Sequence, residues 1–258
     1  MLETPLLDRS TRPLGLTEAG RLYYDFCRDV LRREQEFHDA LNQVKGRVEG
    51  AVQVAAIYSV GILDMSRLEQ ELSRRMPAAE LQVEYLRPEK VHDAVLNGQA
   101  DLGILSYPVS TKDLVVIPWR EEKMMVALAP THPLASRKTL SVADLAGHDF
   151  VGFDDDLRVG KEVMQYLRRN HAQVSMVMHF DNIQTMKEAV ALGTAISILP
   201  VRVLGVDIEQ GRLVAIPIRG CNLTRPLGII HLRRKALNRA MQVFLELLRE
   251  EARAEARA

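Results

Sequence analysis

The sequence predicts an α/β protein of two lobes with a cleft between them, preceded by one long helix. From residue 51 onward, apolar strand-like segments alternate with amphipathic helical segments, a pattern typical of parallel sheets with right-handed crossovers. The alternation restarts near Pro130 and therefore indicates two βαβ units. Neither proline nor glycine interrupts the chain between Arg21 and Lys45, so this segment predicts the long helix.

The long helix is expected to run from Thr17 to Val44 and to pair with a second helix. Thr17 is a suitable N-cap, and Glu18 places a carboxylate in the first turn, where the helix dipole stabilises it. Apolar residues recur at heptad spacing along a narrow seam, which Arg33 interrupts. The predicted dimerisation residues are Tyr23, Phe26, Val30, Phe37 and Val44. The alternative is an amphipathic helix that packs against its own domain.

The first lobe is predicted from three strands separated by two helices. The strands cover residues 51–58, 81–86 and 101–105, and the helices cover residues 61–77 and 88–98. Two further strands are expected at 114–119 and 124–129.

The second lobe repeats the alternation. Helices are expected at 141–146, 159–170 and 183–192, and strands at 149–153, 173–180 and 195–200. Strands at 211–218 and 227–234 follow, and a helix from 237 to about 251 ends the pattern.

Composition indicates an ordinary globular protein of a reducing compartment. Lys and Arg number 34, as do Asp and Glu, so overall charge does not point to nucleic acid. No apolar run reaches membrane length, and the N-terminus lacks the pattern of a signal peptide. The cysteines, Cys27 and Cys221, provide no disulfide framework. We therefore predict a cytoplasmic protein with no membrane partner.

The sequence gives no reason to predict an enzyme. Zinc-binding HExxH and CxxC motifs, a GxSxG elbow and a phosphate-binding GxxxxGK[ST] loop are all absent from the sequence. Three adjacent carboxylates in "GFDDD" (residues 152–156) could bind a divalent cation, but a solvated loop that caps the next helix is the favoured interpretation. Cys221 is interpreted as a plain loop thiol. No cofactor and no metal site are predicted.

Short polar side chains follow several of the predicted strands. In open α/β sheets, ligands bind beyond the carboxyl ends of the strands, near helix N-termini. Ser59 follows the first strand, Arg87 the second, and Ser106 the third, while Asn182 precedes a helix of the second lobe. Taken singly, Ser59 and Asn182 could serve only as helix caps, and Arg87 could only reach solvent. Their convergence predicts a cleft for a small polar or anionic ligand.

Three segments resemble one family of proteins. "LLDRSTRPLGLTEAGRLYYDFCRDVL" is similar to the wing and the start of the linker helix in LysR-type transcriptional regulators, through Leu7-Asp8-Arg9 and the motif Leu-Thr-Glu-Ala-Gly at 16–20. "NGQADLGIL" and "VALGTAISILP" resemble two segments of the family's effector domain, with Ala195 where a glycine is usual.

The resemblance implies a fold and a set of site residues. The family has a winged helix-turn-helix, a linker helix that pairs two subunits, and a two-lobed, periplasmic-binding-protein-like (type 2) effector domain with two crossover strands. Such regulators bind promoter DNA as homodimers or homotetramers. By position, the effector-binding residues would be Ser59, Val60, Arg87, Ser106, Tyr107, Phe153, Asp154, Asn182, Ile183 and Thr194. The DNA-binding tip of the wing would be Arg9, Ser10, Thr11 and Arg12.

The expected domain boundaries follow from the same resemblance. They are a wing at 1–16, a linker helix at 17–50, a first lobe at 51–129 and 229–258, and a second lobe at 130–228. The helices that read DNA in this family precede the wing, so we expect them to be absent from this chain. Residues 1–50 carry eight basic and nine acidic residues, a net charge of −1 that predicts weak DNA binding.

Three functional hypotheses are compatible with these observations. The first is an effector-controlled transcriptional regulator whose DNA-reading part is incomplete in this chain. The second is an effector-binding dimer without specific DNA binding. The third is a solute-binding protein of the same fold, against which the lack of a signal peptide and the heptad helix both argue.

Overall fold

A computed structural model describes residues 4–10, 12, 14–44 and 50–255. Near the N-terminus, strand β1 (Leu7–Asp8) pairs antiparallel with β2 (Gly15–Leu16), and helix α1 (Glu18–Val44) follows. Thr11 of the predicted wing tip lies outside the described residues, as does the side chain of Val44 in the predicted seam.

Thr17 and Gly20 join the β1–β2 hairpin to the start of α1. The Thr17 hydroxyl accepts a hydrogen bond from the Gly20 N–H at 2.9 Å and donates one to the Pro5 carbonyl at 2.7 Å. Thr17 is therefore the predicted N-cap. A Cβ on Gly20 would lie 1.9 Å from the Leu6 carbonyl oxygen, so no residue with a side chain fits at this contact.

A mixed sheet organises the first lobe. Its parallel strands are β3 (Ala51–Ile57), β4 (Glu80–Leu86) and β5 (Leu102–Ser106), with β3 in the middle, as the alternating pattern predicts. Helices α2 (Ile62–Arg75) and α3 (Pro88–Leu96) are the crossovers. Strand β11 (Thr224–Leu232) adds antiparallel to β5, and helix α7 (Arg239–Glu255) contributes to the same core.

Strand β6 (Leu114–Leu128) is continuous, and the prediction of two separate strands here is wrong. The polar sequence Arg-Glu-Glu-Lys at 120–123 separates the two apolar segments. In the structure, Glu122 is only 4% exposed because it pairs with the buried Arg225 of β11. The Glu122–Arg225 ion pair thus allows these polar residues to lie within one continuous strand.

The second lobe contains shorter elements. They are β7 (Asp149–Phe153), α4 (Arg158–Arg169), β8 (Ser175–Phe180), α5 (Ile183–Ala191), β9 (Ser197–Pro200), α6 (Gly205–Glu209) and β10 (Val214–Ile216). Strands β7 and β8 are parallel, whereas β9 and β10 pair antiparallel with the second half of β6. The helix predicted at 141–146 is a single 3₁₀ turn over Val142–Leu145, closed by a capping box between Ser141 and Asp144.

The buried side chains form two hydrophobic cores. Residues between 52 and 119 and between 227 and 248 supply the first, and residues between 124 and 218 supply the second. Strand β6 contributes to both cores and pairs along its first ten residues with β11. The exact domain boundaries given above stay a prediction. Within the described ranges, no helix combines the length and apolar character needed to cross a membrane.

Candidate functional site

A cavity of about 320 Å³ lies where the two cores meet. The first lobe contributes residues at the carboxyl ends of β3, β4 and β5, and the second contributes the starts of α4 and α5. Most of the walls are apolar or aromatic, including Ile57, Leu86, Phe153 and Ile183. Its size is that of a pocket for a small metabolite.

Six of the ten predicted effector-binding residues line this cavity. They are Ser59, Arg87, Ser106, Tyr107, Phe153 and Ile183.

The other four predicted residues lie outside the cavity lining. Val60 is 1% exposed and packs in the first core. Asn182 caps α5, where its side-chain oxygen accepts a hydrogen bond from the Gln184 N–H at 2.8 Å. Asp154 lies 2.6 Å from the His179 ring, and Thr194 is exposed outside the cavity lining.

Arg225 also lines the cavity and is not among the residues predicted from the sequence. Its Nε and Nη2 atoms both donate to Oε2 of Glu122, the former at 2.9 Å, and its Nη1 atom donates to the Ser59 hydroxyl at 2.9 Å. Ser59 therefore contacts a buried guanidinium and is not a helix cap. The strand predicted from the sequence begins at residue 227, whereas β11 begins at Thr224 and includes Arg225. Nothing in the local sequence connects it with Glu122.

Arg87 spans the mouth of the cavity and does not simply reach solvent. Its guanidinium lies 2.7 Å from Asp156 and 3.5 Å from Asp181, both in the second lobe, and 2.8 Å from Glu89 of its own lobe. Burial acts to lower the pKa of Arg87, but these carboxylates raise it above its ordinary value. The positive charge of Arg87 is thus already balanced by carboxylates of the protein itself.

Tyr107 has a backbone conformation that is unusual for a residue with a side chain. Its φ is 52°, in the left-handed region, where strain of about 1–3 kcal/mol is typical and is often found at ligand sites. Its N–H donates to the Pro226 carbonyl at 2.9 Å, and the Arg158 guanidinium lies 5.5 Å from the ring centre. Burial, followed by the nearby Glu162, raises the pKa of the phenol to about 12.

The three carboxylates after β7 do not form a shared site. Asp154 contacts His179, and Asp156 contacts Arg87. Helix α4 is preceded by Leu157 and has no side-chain cap, so the predicted capping role of this loop is wrong. Among the residues that the structure describes, no group of three His, Cys, Asp or Glu side chains could hold a metal ion.

A family model described as "LysR substrate binding domain" matches residues 45–253. The chain belongs to the LysR family. The regulator CysL of Bacillus subtilis is 25% identical over 247 residues, which make up 96% of this chain and 83% of CysL.

Two solved structures share the fold. One is the CcmR regulatory domain of Synechocystis PCC6803 in complex with 2-PG, with a TM-score of 0.71, 23% identity, and coverage of 79% of this chain and 97% of that one. The other is the effector binding domain of QuiR in complex with shikimate, with a TM-score of 0.68, 17% identity, and coverage of 80% and 98%.

These similarities confirm the resemblance seen in the sequence. The chain is a LysR family member that contains an α/β effector-binding domain with mixed sheets, preceded by a long helix. Its relatives are transcriptional regulators and not enzymes.

Proposed function

We propose that this chain senses a small metabolite in the cavity and controls transcription through promoter DNA in the cytoplasm. The main support is the placement of the cavity, because residues from both lobes line it and Arg87 connects the lobes across its mouth. A ligand there would contact both lobes and would bias the angle between them. Small molecules bound to CcmR and QuiR support the same use of the fold.

A dimer is the second part of the proposal. Four residues of the predicted seam have described side chains, and all are exposed: Tyr23 by 42%, Phe26 by 62%, Val30 by 47% and Phe37 by 61%. An apolar stripe of this kind on a long helix is suited to a partner helix. Arg9, Ser10 and Arg12 are exposed at the hairpin and could contact phosphates.

Substitutions that fill the cavity with larger side chains test whether it is the effector site. The protein would be equilibrated with a small-molecule extract of its own cells, and the retained compounds would be identified by mass spectrometry. We expect Ser59→Leu combined with Ser106→Leu to lose a retained compound, because both side chains line the cavity.

Thr194→Leu is the matched control. Thr194 is exposed and lies outside the cavity lining, so this variant should retain the compound. If the cavity-filling variant retained as much of the compound as the wild type, the cavity would not be the effector site.

A further inference from the structure

The three arginines that line the cavity differ in how accessible they are to solvent. The side chains of Arg87 and Arg158 are 33% and 60% exposed, whereas Arg225 is only 2% exposed. Arg87 is already matched by three carboxylates at the mouth of the cavity. Among these three, Arg225 is the guanidinium that a buried ligand group would meet.

Arg225 is held so that one of its edges is directed to the cavity residue Ser59. Glu122 occupies the Nε and Nη2 atoms, which leaves Nη1 to contact the Ser59 hydroxyl at 2.9 Å. Ser106, at the end of the neighbouring parallel strand, lines the same cavity. A guanidinium N–H and the hydroxyl of Ser59 are thus in contact at the cavity, and the hydroxyl-bearing Ser106 belongs to the same lining, a set of donors that suits one small anionic group.

The charge of the cavity limits the charge of that group. The lining contains three arginines, which are Arg87, Arg158 and Arg225, and three acidic residues, which are Glu89, Asp156 and Asp181. Glu122 lies directly behind Arg225. With Glu122 included, the three arginines face four carboxylates, a net charge of −1, so a doubly charged phosphate ester is opposed more strongly than a singly charged group. A singly charged carboxylate requires only the Nη1 edge of Arg225 and the two hydroxyls.

The remaining walls are suited to an apolar body. Leu105, Phe153, Val159 and Ile183 line the cavity together with the ring of Tyr107. Contact with these side chains removes apolar ligand surface from water and is favourable for a hydrocarbon chain or ring.

We propose that the ligand is a small monocarboxylic acid with an apolar body, whose carboxylate binds Arg225 and Ser59. This inference rests on the proposed function, since it assigns a ligand class to the same cavity. It makes Glu122 a residue that weakens binding, because the ligand carboxylate and the Glu122 carboxylate share one guanidinium.

The test uses benzoate and cyclohexanecarboxylate as probes, with benzamide as the neutral analogue and inorganic phosphate as the dianion. Calorimetry measures affinity, and amide NMR shifts locate the site. We expect both acids to bind at least about tenfold more tightly than benzamide or phosphate, the size of one charge-assisted hydrogen bond. The shifts should fall on Ser59, Ser106 and their neighbours.

Substitutions at the ion pair test the role of Arg225. Glu122→Gln should strengthen benzoate binding, because the buried guanidinium then lacks its counter-ion. Glu122→Gln combined with Arg225→Gln replaces the pair by two neutral amides and should lower benzoate affinity to the level of benzamide. Glu121→Gln, at the exposed neighbouring position, is the matched control and should change nothing.

Two results would overturn the inference in distinguishable ways. If phosphate shifted the cavity signals while neither acid did so at 10 mM (about a hundredfold above the expected Kd of a weak metabolite complex), the ligand class would be wrong and the cavity would still be the effector site. If every probe shifted only signals outside the cavity, the proposed function of the cavity would fail as well.

Discussion

His179 and Asp154 form a pH-sensitive contact next to the cavity. The His179 Nδ1 atom lies 2.6 Å from the Asp154 carboxylate, and this hydrogen bond, followed by the charges of Asp154 and Asp155, raises the pKa of His179. The contribution of the contact to stability is therefore complete below the unfolded pKa, about 6.5, and is lost as pH rises through the raised folded pKa.

An NMR titration of the His179 ring tests this contact. We expect a midpoint above the ordinary histidine value, and we expect Asp154→Asn to lower it because the charged acceptor is removed. Asp113→Asn, in the loop before β6 of the first lobe, is the control. A midpoint that Asp154→Asn leaves unchanged would show that the two side chains do not interact in solution.

Single residues of the site were predictable where they follow strand ends. Ser59, Arg87 and Ser106 were identified because parallel strands end at one edge of a sheet. Arg225 was not, since its burial depends on Glu122, which is 103 residues away in the chain. The contacts of Arg87 with Asp156 and Asp181 likewise depend on how two lobes approach each other, which local periodicity does not encode.

Among the helices and strands, helix α1 stands out because two of its faces differ in what they contact. The seam contains Phe26 and Val30, whereas Tyr24, Cys27 and Leu31 line a groove shared with Gln53 and residues 97–99 of the first lobe. Thus the seam remains available for a second helix while a neighbouring face lies toward the chain's own domain. The seam for a partner helix stays a prediction, whereas the groove bears on the alternative that the helix packs against its own domain.

Phe26→Asp combined with Val30→Asp should separate a dimer into monomers. Two carboxylates in an apolar helix seam would be buried without partners, which opposes pairing. Light scattering coupled to size exclusion measures the mass. Leu31→Asp is the matched control, because Leu31 is as exposed as Phe26, at 63%, but lies off the seam. A mass unaffected by the seam substitutions would place the interface elsewhere.

The positions of long, regular elements could be predicted from the sequence, whereas those of short or ion-paired elements could not. The helices and parallel strands of both lobes have clear periodicity, so their predicted positions agree with the structure to within a few residues. Helix α6 is five residues long and has no pattern to recognise. The middle of β6 has a polar pattern because its burial is compensated by the Glu122–Arg225 pair.

Across the whole molecule, a cluster of ion pairs connects the lobes away from the cavity. Arg202 follows β9 of the second lobe, and its Nη2 atom lies 2.9 Å from Asp64 of α2 and 3.6 Å from Glu251 of α7. Asp64 also lies 3.5 Å from Arg120 of β6, which in turn lies 3.5 Å from Glu122. The ion pairs thus run continuously from Arg225 at the cavity to Arg202.

Trp119 reports on this cluster. It is the single tryptophan of the chain, its ring lies 3.9 Å from the Arg120 guanidinium, and its N–H donates to the Leu248 carbonyl of α7 at 2.9 Å. Its fluorescence should therefore respond when the position of Arg120 or α7 changes.

Arg202→Gln should loosen the connection between the lobes. We expect a changed Trp119 emission and a free energy of unfolding lower by about 1 kcal/mol, the upper range for a partly exposed ion pair. Arg74→Gln is the control, because Arg74 pairs with Glu71 within α2. Identical emission from wild type and Arg202→Gln would show that the cluster does not couple the lobes.

The pairing of β5 with β11 has a consequence for the order of folding during synthesis. The first core needs residues up to Leu248, whereas the second core is complete once residue 218 has been made. Because domains fold as their chain emerges from the ribosome, β3, β4 and β5 must wait for β11 and α7. The lobe whose strands are translated first is therefore the last to have all of its core residues available.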